Sequence, residues 1–146
     1  MAVSKPKLIK NYLAGVLAAI DGTGSYVNTV CAVNEKTGNK IADVSKGAAE
    51  VWLQIGVISN IPGTHGKRLR RVAYKITGQI VNPMDAADSD GAMLSLFADL
   101  VRAVELDATC GGIATGLKWS EMSPVVGEPA VECVLSVTAE YQEDRT

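Results

Sequence analysis

The segment RVAYKITGQI (71–80) constrains the fold more than any other part of this chain, because its apolar and polar residues alternate. The apolar side carries Val72, Tyr74, Ile76 and Ile80, and the polar side carries Arg71, Lys75, Thr77 and Gln79. This period of two is typical of a β-strand with one buried side and one exposed side. The segment VECVLSVTAEY (131–141) repeats the pattern, and Val134 is the only apolar residue on its polar side. The sequence therefore predicts a sheet that has one covered face.

Two amphipathic segments are predicted to be the helices that cover this face. The first helix follows an N-cap at Ser4, has Pro6 in its first turn and stops at Asp21-Gly22. Its apolar side carries Ile9, Tyr12, Leu13, Val16 and Ile20. The second helix runs from Asp88 or Ser89 to Leu106, and its apolar stripe carries Met93, Leu96, Phe97, Leu100, Val101 and Val104.

Three further strands are predicted from shorter patterns. They lie at Tyr26–Val33, at 51–58 with alternating Val51, Leu53, Ile55 and Val57, and after the Gly111-Gly112 turn at 113–119. Residues 34–48, with a short strand around Ile41, and residues 59–70 are predicted to be long connections, and residues 120–129 a proline-containing loop. The order of helix, three strands, helix and two strands predicts a single α+β domain over residues 1–146. Its expected architecture is a mostly antiparallel or mixed sheet of about five strands with two helices packed on one face.

Composition narrows the function classes. The chain has 146 residues, 47% hydrophobic and 21% charged, which is ordinary for a folded domain. A formal charge of -2 is too small to indicate bulk binding of nucleic acid or of a membrane surface, so any such contact needs a local patch. Lys5, Lys7 and Lys10 before YLAGVLAAI imitate a secretory signal, but the same stretch is interpreted as the first helix.

Metal and cofactor sites are not predicted. Cys31, Cys110 and Cys133 lack a C-x-x-C spacing, His65 is the only histidine, and buried free thiols in a reducing compartment are expected. PGTHGKR departs from a phosphate-binding loop because Ile61 occupies the position of its first glycine and Arg68 follows Lys67. DAADSDG departs from a calcium loop because Ala86 occupies its first ligand position. Aspartates at a helix start explain that stretch without a metal.

An enzymatic function is not predicted either. The chain has no G-x-S-x-G motif, and no cysteine lies near His65 in the sequence, although carboxylates can still meet in space. The candidate contact site is the basic segment of residues His65, Lys67, Arg68, Arg70 and Arg71. Two interpretations stay open for this segment: a solvated hairpin tip, or a contact with phosphate or with an acidic partner surface.

Residues 71–141 resemble the C-terminal half of tail terminator proteins of tailed bacteriophages. The resemblance covers the strand VAYKITGQIV, the amphipathic helix with its Gly-Gly corner, and the closing strand VLSVTAEY. In the helix and corner the matching residues are Leu94, Asp99, Leu100, Arg102, Ala103, Leu106, Asp107, Gly111 and Gly112. The acidic ending QEDRT departs from the family pattern, in which this region is basic.

This resemblance implies a structural virion protein without catalysis or a cofactor. Members of the family form a homo-oligomeric ring, usually hexameric, that caps the tail tube protein, stops its polymerisation and offers a docking surface to the head-side connector protein. DNA only passes through the ring, no membrane is involved, and the ring is assembled in the host cytoplasm and ends in the neck of the virion. Two alternatives stay open: another head-tail joining or tail tube component, and a small ligand-binding or enzymatic α+β domain.

Overall fold

A computed structural model describes residues 4–24, 26, 28–34, 49–62, 68–81, 89–126 and 130–143. Within these ranges the chain forms two α-helices and five β-strands in the order expected from the sequence. They are α1 (Lys5–Ala18), β1 (Val30–Asn34), β2 (Ala49–Asn60), β3 (Leu69–Val81), α2 (Ser89–Val104), β4 (Gly116–Val126) and β5 (Ala130–Gln142). The predicted short strand around Ile41 lies outside the described residues.

The five strands form one mixed sheet in the order β1-β2-β3-β5-β4. β1 and β2 are parallel, and the other three neighbouring pairs are antiparallel. Because β5 lies between β3 and β4, these two strands run in the same direction and α2 carries the chain across β5. The predicted α+β fold with a mixed sheet of five strands is confirmed.

Both helices pack on the face of β3 that carries Tyr74 and Gly78. The Tyr74 hydroxyl donates a 2.6 Å hydrogen bond to the Pro6 carbonyl oxygen at the start of α1. A Cβ atom at Gly78 would lie 2.9 Å from Leu96 Cδ2 and 3.0 Å from Leu100 Cδ1, so the missing side chain lets α2 approach the sheet closely. The core between helices and sheet is apolar; its fully buried members include Leu13, Leu17, Leu53, Ile76, Leu96, Leu100 and Leu135.

One buried carboxylate ties the α1–β1 connection to α2. Asp99 is only 1% exposed, and its Oδ2 accepts hydrogen bonds from the Asn28 main-chain N–H at 2.7 Å and from Asn28 Nδ2 at 2.9 Å. Asn28 Nδ2 also donates to Ser95 Oγ at 3.1 Å. Tyr26 and Asn28 are not in a strand, and Thr29 makes only an isolated bridge with Asp21. The strand therefore begins at Val30, and its predicted start at Tyr26 is wrong.

The helix ends differ slightly from the predicted ones. The Ser4 side chain makes no capping hydrogen bond, although its carbonyl oxygen accepts from the Leu8 N–H at 3.0 Å and Pro6 lies in the first turn. α2 ends at Val104 because the chain tightens there: the Leu106 N–H donates to the carbonyl of Ala103, three residues back, at 3.4 Å. Leu106 is consequently 62% exposed and lies outside the helix.

The predicted loop at 120–129 is wrong over most of its length, because β4 continues to Val126. The loop was predicted because of Pro124, since proline has no main-chain N–H to donate to a neighbouring strand and is therefore excluded from a central strand. In this sheet β4 is an edge strand with β5 on one side, and Pro124 lies opposite Cys133. A missing N–H is tolerated at such an edge. The Gly111-Gly112 turn is as predicted, with φ values of 74° and 94°, but β4 begins only at Gly116.

Candidate interaction surfaces

The predicted basic segment divides between a connection and a strand. His65 and Lys67 lie outside the described residues. Arg68 is exposed just before β3, and its carbonyl oxygen accepts from the Glu143 N–H at 2.8 Å. Arg70 and Arg71 belong to β3 itself and so have fixed positions beside β5.

Arg70 and Arg71 do not form one patch, because neighbouring strand residues lie on opposite faces. Arg70 Nε lies 2.6 Å from Glu143 Oε2, and Arg71 Nη2 lies 2.9 Å from Glu140 Oε1 on the face opposite the helices. All four side chains keep between 34% and 47% of their surface in solvent. Such pairs contribute about 0–1 kcal/mol each. Their main effect is to compensate part of the positive charge that the sequence concentrates here.

A groove between α1 and β2 brings Arg70 together with lysines that sequence reasoning did not place at this site. This α1–β2 groove has a volume of about 420 Å³ and is lined by Lys7, Lys10, Ile55, Ile58, Arg70 and Tyr141, among others. Lys5 anchors the same end of α1, since its Nζ donates to the Gln142 carbonyl oxygen at 2.6 Å. The clustering of Lys5, Lys7 and Lys10 in the sequence was the available signal, but only the tertiary fold brings Lys7 and Lys10 beside Ile55 and Ile58 of β2.

The distal part of β2 exposes apolar side chains. The predicted alternation ends at Leu53, because Ile55 is 44% exposed, Val57 75% and Ile58 48%. A register shift against β3 lies between Ile55 and Ile58 and breaks the alternation there. β1 pairs only with Ala49–Trp52, so among the described residues the segment Leu53–Asn60, here called the β2 overhang, has no strand on its outer side. An uncovered apolar strand edge is a typical interaction site.

A second groove lies at the opposite edge of the sheet, between α2 and β4. This α2–β4 groove has a volume of about 560 Å³; its lining includes Phe97, Val101, Arg102, Glu105, Leu106 and Trp119. The Phe97 and Trp119 rings meet edge to face with centroids 5.4 Å apart. Trp119 Nε1 donates to Glu105 Oε1 at 2.9 Å. The groove thus presents aromatic and aliphatic surface next to the outer edge of β4, which no other described strand pairs with.

The corner after α2 is held by Asp107. Its Oδ1 accepts from the Thr109 hydroxyl at 2.7 Å and from the Thr109 N–H at 2.9 Å, and its Oδ2 accepts from the Gly111 N–H at 2.9 Å. These hydrogen bonds, those of Thr109 first, lower the pKa of the Asp107 carboxyl. The role of this carboxylate is to shape the turn that leads from α2 to β4.

The two described thiols are not arranged for nucleophilic chemistry. Burial raises the pKa of Cys110 to about 11 and that of Cys133 to about 12, so both are protonated near neutral pH. Cys110 and Cys133 are free and buried, as predicted, whereas the Cys31 side chain lies outside the described structure. Across the residues described, no three His, Cys, Asp or Glu side chains are grouped as a metal site would require. No helix in these ranges is long and apolar enough to cross a membrane.

The described part of the chain thus offers two apolar surfaces at opposite edges of one sheet, the first of them rimmed by Lys7, Lys10 and the Arg70–Glu143 pair. Comparison with known proteins does not extend this description, since no protein-family model and no curated protein matches the sequence.

Proposed function

We propose that this chain is a structural subunit that assembles with copies of itself into a ring, and specifically a tail terminator of a tailed bacteriophage. The observation that carries the proposal is a pair of strand edges that no other described strand covers, the β2 overhang and β4, at opposite sides of one sheet. Each edge exposes apolar surface, which on a folded domain is typical of protein interfaces. Different edges on opposite sides fit a head-to-tail contact, the kind that closes into rings.

The resemblance to tail terminators supports the specific identity. The residues that carry it lie in β3, in α2, in the Asp107 corner and in β5. Two of them have defined structural tasks, because Asp99 fixes the α1–β1 connection and Asp107 shapes the corner. Polar residues that hold the fold together in this way are compatible with a structural protein that acts through its surfaces. In this proposal the ring caps the tail tube protein, docks the head-side connector and lets DNA pass during ejection.

Native mass spectrometry across a wide range of protein concentration tests the proposal, with negative-stain images of the same samples. We expect a closed ring of about six copies, because unlike edges on one subunit join head to tail. Purified tail tubes serve as the second arm, since the end of the tube can template the ring. A ring bound to tube ends that stops tube growth in vitro supports the terminator role.

The same experiment distinguishes the alternatives. Rings that neither bind nor stop a tail tube would point to another head-tail joining component. A chain that stays monomeric with and without tubes would contradict the proposal and favour a small ligand-binding domain. In that case the α1–β2 groove, with Lys7, Lys10 and Arg70, would be the first place to search for a bound anion.

A further inference from the structure

The β2 overhang and β4, the two edges that no other described strand covers, lie at the same level along the strand direction. Strand pairing connects them through rows of directly opposed residues. One row is Ile58, Val72, Ala139 and Leu117; the next is Ile55, Tyr74, Val137 and Trp119; a third is Gln54, Lys75, Ser136 and Glu121. The β2 overhang and the first half of β4 therefore occupy the same rows on opposite edges.

Their directions also match. β2 is antiparallel to β3, β3 to β5 and β5 to β4, so β4 runs opposite to β2. A rotation about an axis along the strands preserves these directions. Neighbouring copies in a ring with such an axis would therefore bring β4 of one copy antiparallel to β2 of the next. Antiparallel pairing would satisfy the main-chain N–H and C=O groups that point away from the neighbouring described strand at each edge.

From this geometry we infer that the occupant of the β4 edge is the β2 overhang of a second copy of this chain. The inference rests on the proposed ring and specifies its interface. The exposed Ile55 and Ile58 of one copy cover the rim of the α2–β4 groove, with Phe97 and Trp119, of the next. An extended sheet is the result, with the helices of all copies on one side.

Charge is compatible with this contact. The β2 overhang contains no charged residue, which leaves it without the lysines and glutamates that normally protect an edge from pairing. The facing half of β4 contains Lys118 and Glu121, whose charges cancel. Beside the strands, Lys7 and Lys10 of the α1–β2 groove would approach the α2–β4 groove, where Glu105 lies with Arg102.

The pairing has a definite limit. β1 occupies the outer side of β2 at Ala49–Trp52, and these residues share rows with Ser123–Val126 of β4. Pairing with the next copy therefore stops near Ser123, and the neighbouring strand crosses β4 at an angle, as strands in twisted sheets do. Pro124 lies just beyond this point and has no N–H to contribute.

Disulfide cross-linking tests the interface. The register shift leaves Gly56 and Val57 opposite Ala73, whose row continues through Thr138 to Lys118. A chain with both Val57→Cys and Lys118→Cys is oxidised at a concentration at which native mass spectrometry shows assemblies. We expect a ladder of covalent oligomers up to the size of the ring on non-reducing gels. An equal mixture of the two single variants should give dimers only.

Three controls sharpen the result. The unchanged chain and a Val57→Cys, Ser123→Cys chain are expected to give no ladder, the latter because Ser123 lies outside the pairing rows. Dimers from Lys118→Cys alone would instead indicate β4–β4 pairing between two copies and overturn the inference. Rings that form without any ladder would overturn it too, while leaving the proposed function intact. A ladder from open filaments would keep the interface and contradict the ring.

A blocking variant gives an independent readout. Val57 is 75% exposed, so Val57→Lys should leave the melting temperature nearly unchanged while placing a charge in the paired edge. We expect the concentration needed for assembly to rise by about tenfold or more. Ala18→Lys is the matched control, since Ala18 is also exposed but lies at the C-terminal end of α1, away from the α1–β2 groove. If Val57→Lys assembles at the same concentration as the unchanged chain, the interface is refuted. It is also refuted if the unchanged chain does not assemble, and the double-cysteine chain does not cross-link, at any concentration.

Discussion

At the scale of single residues, the most informative side chain is Asp99. A carboxylate that is 1% exposed must be compensated, and here the main-chain N–H and side-chain amide of Asn28 provide the compensation. The bonds reach across 71 residues of sequence and join the segment before β1 to the middle of α2. A residue that looked like one polar position of an amphipathic helix is therefore a long-range tether.

Replacing this tether should be costly. Asp99→Ala leaves the Asn28 N–H without its acceptor, and we expect the free energy of unfolding to fall by about 1–3 kcal/mol. Asp99→Asn keeps one acceptor oxygen, so its loss should be smaller. Urea denaturation of both variants measures the difference. Equal, near-zero effects would mean that the tether contributes nothing to stability.

Asp107 provides a pH-dependent prediction. Hydrogen bonds from Thr109 and Gly111 hold the pKa of its carboxyl below the ordinary 3.8, so the folded chain binds this proton less readily than the unfolded chain. Its contribution to the free energy of unfolding is therefore complete above pH 3.8 and is lost as the pH falls through the folded pKa. We expect the stability difference between the unchanged chain and Asp107→Asn to shrink in that acidic range.

Denaturant titrations at a series of acidic pH values give this difference. Asp21 is the internal comparison, because hydrogen bonds from Thr23 also lower the pKa of its carboxyl. Asp21→Asn should show its own, separate loss. A difference for Asp107→Asn that stays constant down to the lowest pH would contradict the assigned role of its carboxylate.

At the scale of secondary-structure elements, the contact between α2 and β3 depends on Gly78. A Cβ there would meet Leu96 and Leu100, both fully buried. We expect Gly78→Val to lower the free energy of unfolding by about 1–3 kcal/mol, as overpacking does. Gly116→Val is the matched control, since nothing lies within 4 Å of a Cβ at Gly116 in β4. Equal melting temperatures of the two variants in thermal denaturation would contradict this close approach.

The elements differ in how well the sequence predicts them. β3, β5 and α2 carry complete periodic patterns because one side of each packs on the core, so their position and type were predictable. β4 was partly missed because a proline excludes a central strand but not an edge strand, and which strand lies at the edge is decided by tertiary pairing. For the same reason the exposed end of β2 could not be foreseen: Ile55 and Val57 continue the alternation although no helix covers them.

At the scale of the whole molecule, the candidate site is assembled from parts distant in sequence. The arginines of the basic segment were predictable as a charge cluster. Their partners were not, because Glu140 and Glu143 come from the other end of the chain and the α1 lysines from the beginning. Proximity of this kind depends on the order of strands in the sheet, which local patterns do not encode.

Removing the basic segment tests its role in the assembled particle. Changing Lys67, Arg68, Arg70 and Arg71 to alanine should leave folding intact, because the two described ion pairs are exposed and contribute about 0–1 kcal/mol each. We expect assembly on tail tubes or docking to the connector to weaken, with Lys75→Ala as a control for lost charge elsewhere on β3. If the fourfold variant still supports fully functional tails, the segment makes no essential contact.

The position of β5 has a consequence for co-translational folding. β5 pairs with both β3 and β4, yet of the described strands it is synthesised last. The pairing of Arg71 with Glu140 alone spans 69 positions. Nascent β4 therefore has no described strand to pair with until β5 emerges. Two of the four strand pairings of the sheet wait for β5 and form through slow, non-local contacts. During that interval both partners of β5 expose open edges, which are sites where nascent chains can aggregate.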